Sequence, residues 1–167
     1  MEKLVNLLKN KNQTISCMES CTGGFFASEI TNVDGSSKVF KLGLVTYSNE
    51  YKEYFNVSRQ TINEYTVYSN EVSREMSKSV CSIAKANFGI GVTGMLGTVD
   101  PYNKSDNVNV VYISIYDEQK DMFYDYQIQT AGNTKAERKM YVVNYIKERL
   151  YEICKWKIAR IWKLHKI

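Results

Sequence analysis

The stretch Ser16-Cys17-Met18-Glu19-Ser20-Cys21-Thr22-Gly23-Gly24-Phe25-Phe26-Ala27 decides how the chain reads. An extended run over residues 14–18 breaks at Glu19-Ser20 and reopens at Thr22-Gly23-Gly24 as a helix expected to continue to Thr31. A strand that turns sharply into a helix exposes one side chain at the bend and aims several backbone N–H groups at a common point. Ser20 is that side chain. The two glycines carry no Cβ, so another group can approach the backbone closely. Such a bend suits a nucleophile beside an oxyanion hole, or an anion cradle, and it is also the form of an ordinary strand-to-helix turn.

Residues 2–10 place Leu4, Leu7 and Leu8 at helical spacing, a short amphipathic helix against the core. After the Gly35-Ser36-Ser37 turn, residues 39–47 have strand composition, which completes a strand-helix-strand unit. Short helical turns are expected over 49–55 and 58–65. The clearest helix spans 69–87, with Val72, Met76, Val80 and Ile83 on one face and Ser69 as its cap. Residues 88–92 form a compact apolar strand running into Thr93-Gly94-Met95-Leu96-Gly97, the kind of strand ending beyond which α/β sheets bind ligands. A polar loop over 98–107 holds the only proline, Pro101. Alternating segments 108–116 and 122–130, split by residues 117–121, predict a hairpin. Thr134 and Glu137 form a capping-box pattern opening a long helix with Ala136, Met140, Val143, Leu150 and Ile153 inward. The expected fold class is α/β, a single layered α/β/α domain with a mixed, mostly parallel sheet over residues 1–154 and a basic tail over 155–167.

Composition narrows the function classes. A chain of 167 residues with 44% hydrophobic content closes one substantial core. No secretion-type leader or membrane-length apolar run is read from it, so a cytoplasmic location with no membrane partner is expected, and Cys17, Cys21, Cys81 and Cys154 are expected as reduced thiols. The net charge is +4, but Lys155, Lys157, Arg160, Lys163 and Lys166 supply +5 without any acid, which leaves residues 1–154 at −1. No broad phosphate-binding face follows, and no nucleic-acid partner is expected. In the tail, Ile158, Ile161 and Trp162 share one side if the segment is helical, which suits a packed extension of the last helix, with a membrane-surface or nucleic-acid segment and a disordered tail as the alternatives.

The single histidine, His165, sits in that tail. A Ser-His-Asp triad, a Cys-His dyad and a multi-histidine metal site are thereby excluded from the body, and the C-x3-C spacing of Cys17 and Cys21 is no zinc signature, so no metal is expected. A nucleophilic Ser20 would need another base. A lysine can serve when burial or a neighbouring cation leaves part of it as neutral amine. Lys52 is the candidate: if the strand over 39–47 lies parallel beside 14–18, both strands end at one sheet edge, where Ser20, Tyr47 and Lys52 can converge. A solvated helix lysine and a core tyrosine are the plain alternatives.

Glu19-Ser20-Cys21-Thr22-Gly23-Gly24, then Gly35-Ser36-Ser37, Phe40, Gly43-Leu44-Val45-Thr46-Tyr47-Ser48-Asn49 with Lys52, Val67 with Ser69, and a strand ending in Thr93-Gly94 together resemble the CinA C-terminal domain family. That family includes stand-alone bacterial nicotinamide mononucleotide amidases of the pyridine nucleotide cycle, and the resemblance covers residues 13–150. It implies a Ser/Lys amidohydrolase, active without metal or cofactor, that converts nicotinamide mononucleotide and water to nicotinate mononucleotide and ammonia, in a domain that can pair as a homodimer. Ser20 would attack the carboxamide, Lys52 act as general base and Tyr47 support proton transfer. Cys21, Thr22, Gly23, Gly24, Asn49, Thr93, Gly94 and Arg138 would surround the substrate.

The chain also departs from the family pattern. A glycine-rich Gly-Ile-Ala-Gly-Pro-like loop is replaced by Gly94-Met95-Leu96-Gly97-Thr98-Val99-Asp100-Pro101, and a Pro-Val-Gly strand opening by Asn107-Val108-Asn109. Gly-Ala-Val-Ser becomes Thr66-Val67-Tyr68-Ser69, and the Gly-Asp-Arg before the last helix becomes Gly132-Asn133-Thr134. Lys135 or Arg138, one turn on, is a candidate substitute for that arginine, and a plain helix-surface residue is the equal alternative for Arg138. The departures keep a second expectation open, a CinA-like module that binds nucleotides or partners without turnover.

Overall fold

The computed structural model describes residues 1–97, 103 and 107–163, with 156–163 as backbone only. Six helices and five strands follow in the order α1 (Glu2–Asn10), β1 (Ile15–Glu19), α2 (Phe25–Thr31), β2 (Phe40–Val45), α3 (Asn49–Tyr54), α4 (Arg59–Tyr65), α5 (Asn70–Ala84), β3 (Phe88–Gly94), β4 (Val110–Asp117), β5 (Met122–Gln129) and α6 (Lys135–Lys163). The sheet runs β2-β1-β3-β4-β5. β1 pairs in parallel with both β2 and β3, and β4 pairs antiparallel with β3 and β5. Only β4 is reversed, so the sheet is mixed yet mostly of one strand direction, as the sequence predicts.

Alternation along the strands divides the interior into two cores. Ile15 and Cys17 of β1, Phe88, Ile90 and Val92 of β3, and Val111, Ile113 and Ile115 of β4 face α1, α2 and α6, where Leu4, Leu8, Phe26, Ile30, Val143, Ile146 and Leu150 meet them. Met18 turns the other way, into a cluster with Val57, Ile62, Val67, Val72, Met76 and Val80 from the α3–α5 side. There α5 lies against β3 at backbone contact. A Cβ at Gly89 or Gly91 would fall 2.0 Å or 2.1 Å from the carbonyl oxygens of Ser77 and Ser73. No side chain fits those two positions, and this closeness fixes where α5 begins relative to the mouth of the sheet.

Several expected boundaries shift. α2 begins at Phe25 rather than at Thr22, because Gly23 and Gly24 adopt φ of +63° and +88° and cannot belong to a right-handed helix. α5 stops at Ala84, where Lys85 takes a left-handed cap conformation, and Ile83 lies on its exposed side at 45% rather than inward. Its expected cap is present, with Ser69 Oγ accepting the N–H of Val72. At α6 the capping box forms as read: Glu137 accepts the N–H of Thr134 at 3.0 Å and Thr134 Oγ1 accepts that of Glu137 at 3.2 Å. Its buried face is Val142, Val143, Ile146, Leu150, Ile153 and Cys154. Ala136 and Met140 are exposed, because the first turns of α6 run alongside the Gly23 turn instead of over the core.

The backbone of α6 passes residue 154 without a break and continues to Lys163. The expected apolar side of Ile158, Ile161 and Trp162, most of the loop with Pro101, and His165 lie outside the described residues. Among the described residues no helix is long and apolar enough to cross a membrane.

Candidate active site

The site assembles where β1, β2 and β3 end together. β1 closes at Glu19, and the ladder to β3 carries one bond further, with the N–H of Ser20 donating to the Val92 carbonyl at 3.0 Å. The chain then reverses: Gly23 N–H donates back to the Ser20 carbonyl at 3.0 Å. Glu19 holds this bend. Its carboxylate is fully buried and accepts the backbone N–H groups of Phe26 at 3.1 Å and Ala27 at 2.9 Å, two of the donors that the start of α2 leaves unpaired. Because Glu19 faces α2, Ser20 faces the opposite side of the sheet, toward α3 and α5.

β2 supplies the partner. Its ladder to β1 extends to Thr46, whose N–H donates to the Glu19 carbonyl at 2.9 Å. The chain then turns into α3, capped by Ser48, whose Oγ accepts the N–H of Tyr51. One turn on, Lys52 points back under its own helix. Its Nζ donates to Ser20 Oγ at 3.2 Å and to the Thr46 carbonyl at 2.8 Å. Lys52 is 1% exposed and Ser20 7%, so the pair sits at the floor of the sheet mouth, out of bulk water.

Other expected residues are placed unequally. Cys21 is buried, and that burial pushes its thiol up to about 12, so it is no nucleophile near neutral pH. Thr22 is fully buried with its Oγ1 unpartnered among the described residues, as is Oγ1 of Thr46. Asn49 Nδ2 donates to Asn103 Oδ1 at 2.9 Å, tying α3 to the β3–β4 connection. Thr93 Oγ1 donates to the Val67 carbonyl at 2.8 Å, and Gly94 packs so closely on β4 that a Cβ would meet the Val110 carbonyl at 2.5 Å. Tyr47 is 65% exposed and its hydroxyl makes no hydrogen bond among the described residues, so it stands at the rim and not against the Ser20–Lys52 pair.

Arg138 is half-buried and its guanidinium is turned to the Asn133 carbonyl at 3.5 Å. The cation beside the Gly23 turn is its neighbour Lys139. The Lys139 ammonium lies 3.0 Å from where a Cβ of Gly23 would be, close enough to draw the Cys21 thiol downward against the larger effect of burial. Sequence reasoning named neither Lys139 nor the roles of Glu19 and Thr46. Glu19 did carry a signal, a lone acid inside an otherwise apolar strand. Among the described residues no three His, Cys, Asp or Glu side chains gather to hold a metal ion.

A family model, the CinA C-terminal domain, matches residues 1–152. A competence-damage inducible protein of Alkaliphilus oremlandii is 43% identical over 115 residues, 68% of this chain and 28% of its own length. Its namesake in Caldanaerobacter subterraneus is 38% identical over 135 residues, 79% of this chain and 32% of its own. The chain thus spans less than a third of these relatives. Among solved structures, a CinA superfamily protein of Klebsiella pneumoniae superposes with a TM-score of 0.83 at 20% identity, covering 92% of this chain and 94% of its own. An Escherichia coli CinA superfamily protein gives 0.77 at 24%, covering 90% and 88%. By the family model and the relatives' identity, with the same fold in these structures, the chain belongs to the CinA C-terminal domain family.

Proposed function

We propose that this domain is a serine amidase that hydrolyses the carboxamide of nicotinamide mononucleotide, with Ser20 as nucleophile and Lys52 as base. The observation that carries this reading is the 3.2 Å contact between Lys52 Nζ and Ser20 Oγ, with both groups buried. Withdrawal from water disfavours the charged form of a lysine, and a neutral amine is what a base requires. The Thr46 carbonyl occupies one donor direction of Nζ and so aims the nitrogen at the serine.

In the proposed reaction Ser20 Oγ attacks the carboxamide carbon while its proton passes to Lys52 Nζ. The carbonyl oxygen becomes an oxyanion over the residue 21–24 turn. Gly23 N–H is engaged by the Ser20 carbonyl and Phe25 N–H by that of Thr22, which leaves the N–H groups of Cys21, Thr22 and Gly24 without a backbone acceptor among the described residues. Those three, with the Lys139 ammonium beside Gly23, supply the positive field that the developing charge needs. Lys52 returns its proton to the departing nitrogen, the C–N bond breaks and ammonia leaves. A water then attacks the acyl-enzyme, its proton goes to Lys52, and the carboxylic acid product is freed as Ser20 regains its hydrogen.

The test is ammonia release from nicotinamide mononucleotide by wild-type and Ser20→Ala protein, with chelator present. Release by the wild type alone supports the reading; equal release by both proteins, or by neither, refutes it.

A further inference from the structure

Thr46 enters the site by its backbone and again by its side chain. Its N–H donates to the Glu19 carbonyl at 2.9 Å, and its own carbonyl accepts Lys52 Nζ at 2.8 Å. Glu19 pairs with Val45, so Ser20 and Thr46 are the next neighbours across β1 and β2, one strand spacing of about 5 Å apart. The alternation of β2 fixes which face the side chain takes. Met18 pairs with Leu44, and Leu42 and Leu44 pack with Met18 in the core on the α3–α5 side. Thr46, two residues after Leu44, falls on that face, as does Ser20, two residues after Met18. Thr46 is 1% exposed and shares with Ser20 and Lys52 the closed floor of the sheet mouth.

Its hydroxyl differs from its neighbours. Other buried hydroxyls on this face are bonded: Thr93 Oγ1 donates to the Val67 carbonyl at 2.8 Å, Ser69 Oγ to that of Thr66 at 2.9 Å and Ser73 Oγ to that of Asn70 at 2.9 Å. Thr46 Oγ1 is buried with no partner among the described residues. A buried hydroxyl left so is destabilising, and native proteins keep few of them. Charge that forms during the reaction gives this one a use. An ammonium carries three N–H donors and a neutral amine one fewer, so the proton that leaves Ser20 creates a donor in a space closed to bulk water. Rotation about χ1 of Thr46 carries its hydroxyl round within that space, while the backbone that holds Lys52 stays in place. We propose that Thr46 is a positioning residue of the amidase: its hydroxyl is unsatisfied in the resting enzyme and accepts an N–H of Lys52 once the lysine has taken the serine proton. A contact made in the intermediate and absent at rest lowers the barrier by its full worth, whereas one present in both states does not. The inference rests on the Ser20–Lys52 reading of the site and not on which amide is cleaved.

Thr46→Val keeps the shape of the side chain and removes the oxygen, and Thr46→Ser keeps the oxygen. Thr46→Val should lower kcat for ammonia release from nicotinamide mononucleotide about tenfold with little change in KM, the loss of one hydrogen bond to a charged group. Its melting temperature should match or exceed that of the wild type, because no bond is lost at rest. Thr46→Ser should recover most of the rate. A purely structural role predicts instead that rate and melting temperature fall together. Labelling of Ser20 by a fluorophosphonate, read by peptide mass, tests the residue without a carboxamide: Oγ bonds to phosphorus, fluoride departs and the serine proton passes to Lys52. The labelling rate should fall about tenfold in Thr46→Val and recover in Thr46→Ser. The proposal is overturned if wild-type Ser20 is not labelled, if Thr46→Val labels as fast as the wild type, if Thr46→Ser recovers nothing, or if the loss follows the melting temperature. Labelling that depends on the Thr46 hydroxyl, in a wild type that releases no ammonia, would sustain Thr46 and refute nicotinamide mononucleotide as the substrate. Ammonia release indifferent to Thr46 would do the reverse.

Discussion

Lys52 donates to the carbonyl of Thr46, six residues before it, at 2.8 Å, so the strand-to-helix loop that delivers the lysine also fixes the direction of its nitrogen. The proposed base is thereby positioned by its own segment. Replacing it with an apolar chain of similar length should remove the chemistry and leave the fold.

Lys52→Met is expected to lower ammonia release by roughly 10²–10⁴-fold, the usual worth of a positioned general base. Its melting temperature should match or exceed that of the wild type, because a buried ionisable group is exchanged for a thioether in the same space. Activity within a few-fold of wild type would assign the proton transfer to another group.

Glu19 carries a structural prediction at the same bend. Removing its carboxylate leaves the N–H groups of Phe26 and Ala27 buried without an acceptor. Glu19→Ala should therefore cost about 3 kcal/mol in urea unfolding, and activity should fall with it as the bend relaxes. Unchanged stability would mean that α2 finds other acceptors.

How far the site was legible follows from how each residue is fixed. Ser20 and Lys52 belong to two parallel strand ends, and a parallel β1–β2 pair is the natural outcome of a short strand-helix-strand unit, so their meeting follows from local sequence. Lys139, whose ammonium adjoins Gly23, was not singled out from the sequence, which offered Lys135 or Arg138. Successive helical residues point about 100° apart, so choosing between Arg138 and Lys139 needs the rotation of α6 about its axis, which its packing on α1, α2 and β4 sets and its own sequence does not. The exposure of Ile83, Ala136 and Met140 has the same origin: helical spacing defines a stripe, and only the neighbours decide how much of that stripe is covered.

Cys21 makes the alkaline limb of stability predictable. Burial holds its thiol at about 12 against an ordinary 9.0, so the folded protein keeps a proton that the unfolded chain gives up as pH rises past 9. The unfolded state then binds fewer protons, and stability falls with pH between 9 and about 12, while below 9 both states are protonated and nothing is lost. Melting curves at pH 7, 9 and 10 should show this decline, and Cys21→Ala should lessen it by roughly 1 kcal/mol at pH 10. The buried thiol should also resist iodoacetamide at pH 8 in the folded state; rapid alkylation there would show that the turn opens to solvent.

Lys139 offers the sharpest separation of field from binding. Its ammonium adjoins Gly23 in the turn proposed to hold the oxyanion, so in that reading it acts on charge that forms during the reaction more than on the substrate at rest. Lys139→Met is expected to lower kcat roughly tenfold with little change in KM, and Lys139→Arg to recover part of the loss. Arg138→Met, which removes a side chain turned to the Asn133 carbonyl, should change kcat by less than about twofold. A KM effect confined to phosphorylated substrate in Lys139→Met would instead mark this lysine as the holder of the substrate phosphate. Equal losses in the Lys139 and Arg138 variants would remove Lys139 from the chemistry and make the start of α6 a structural rim.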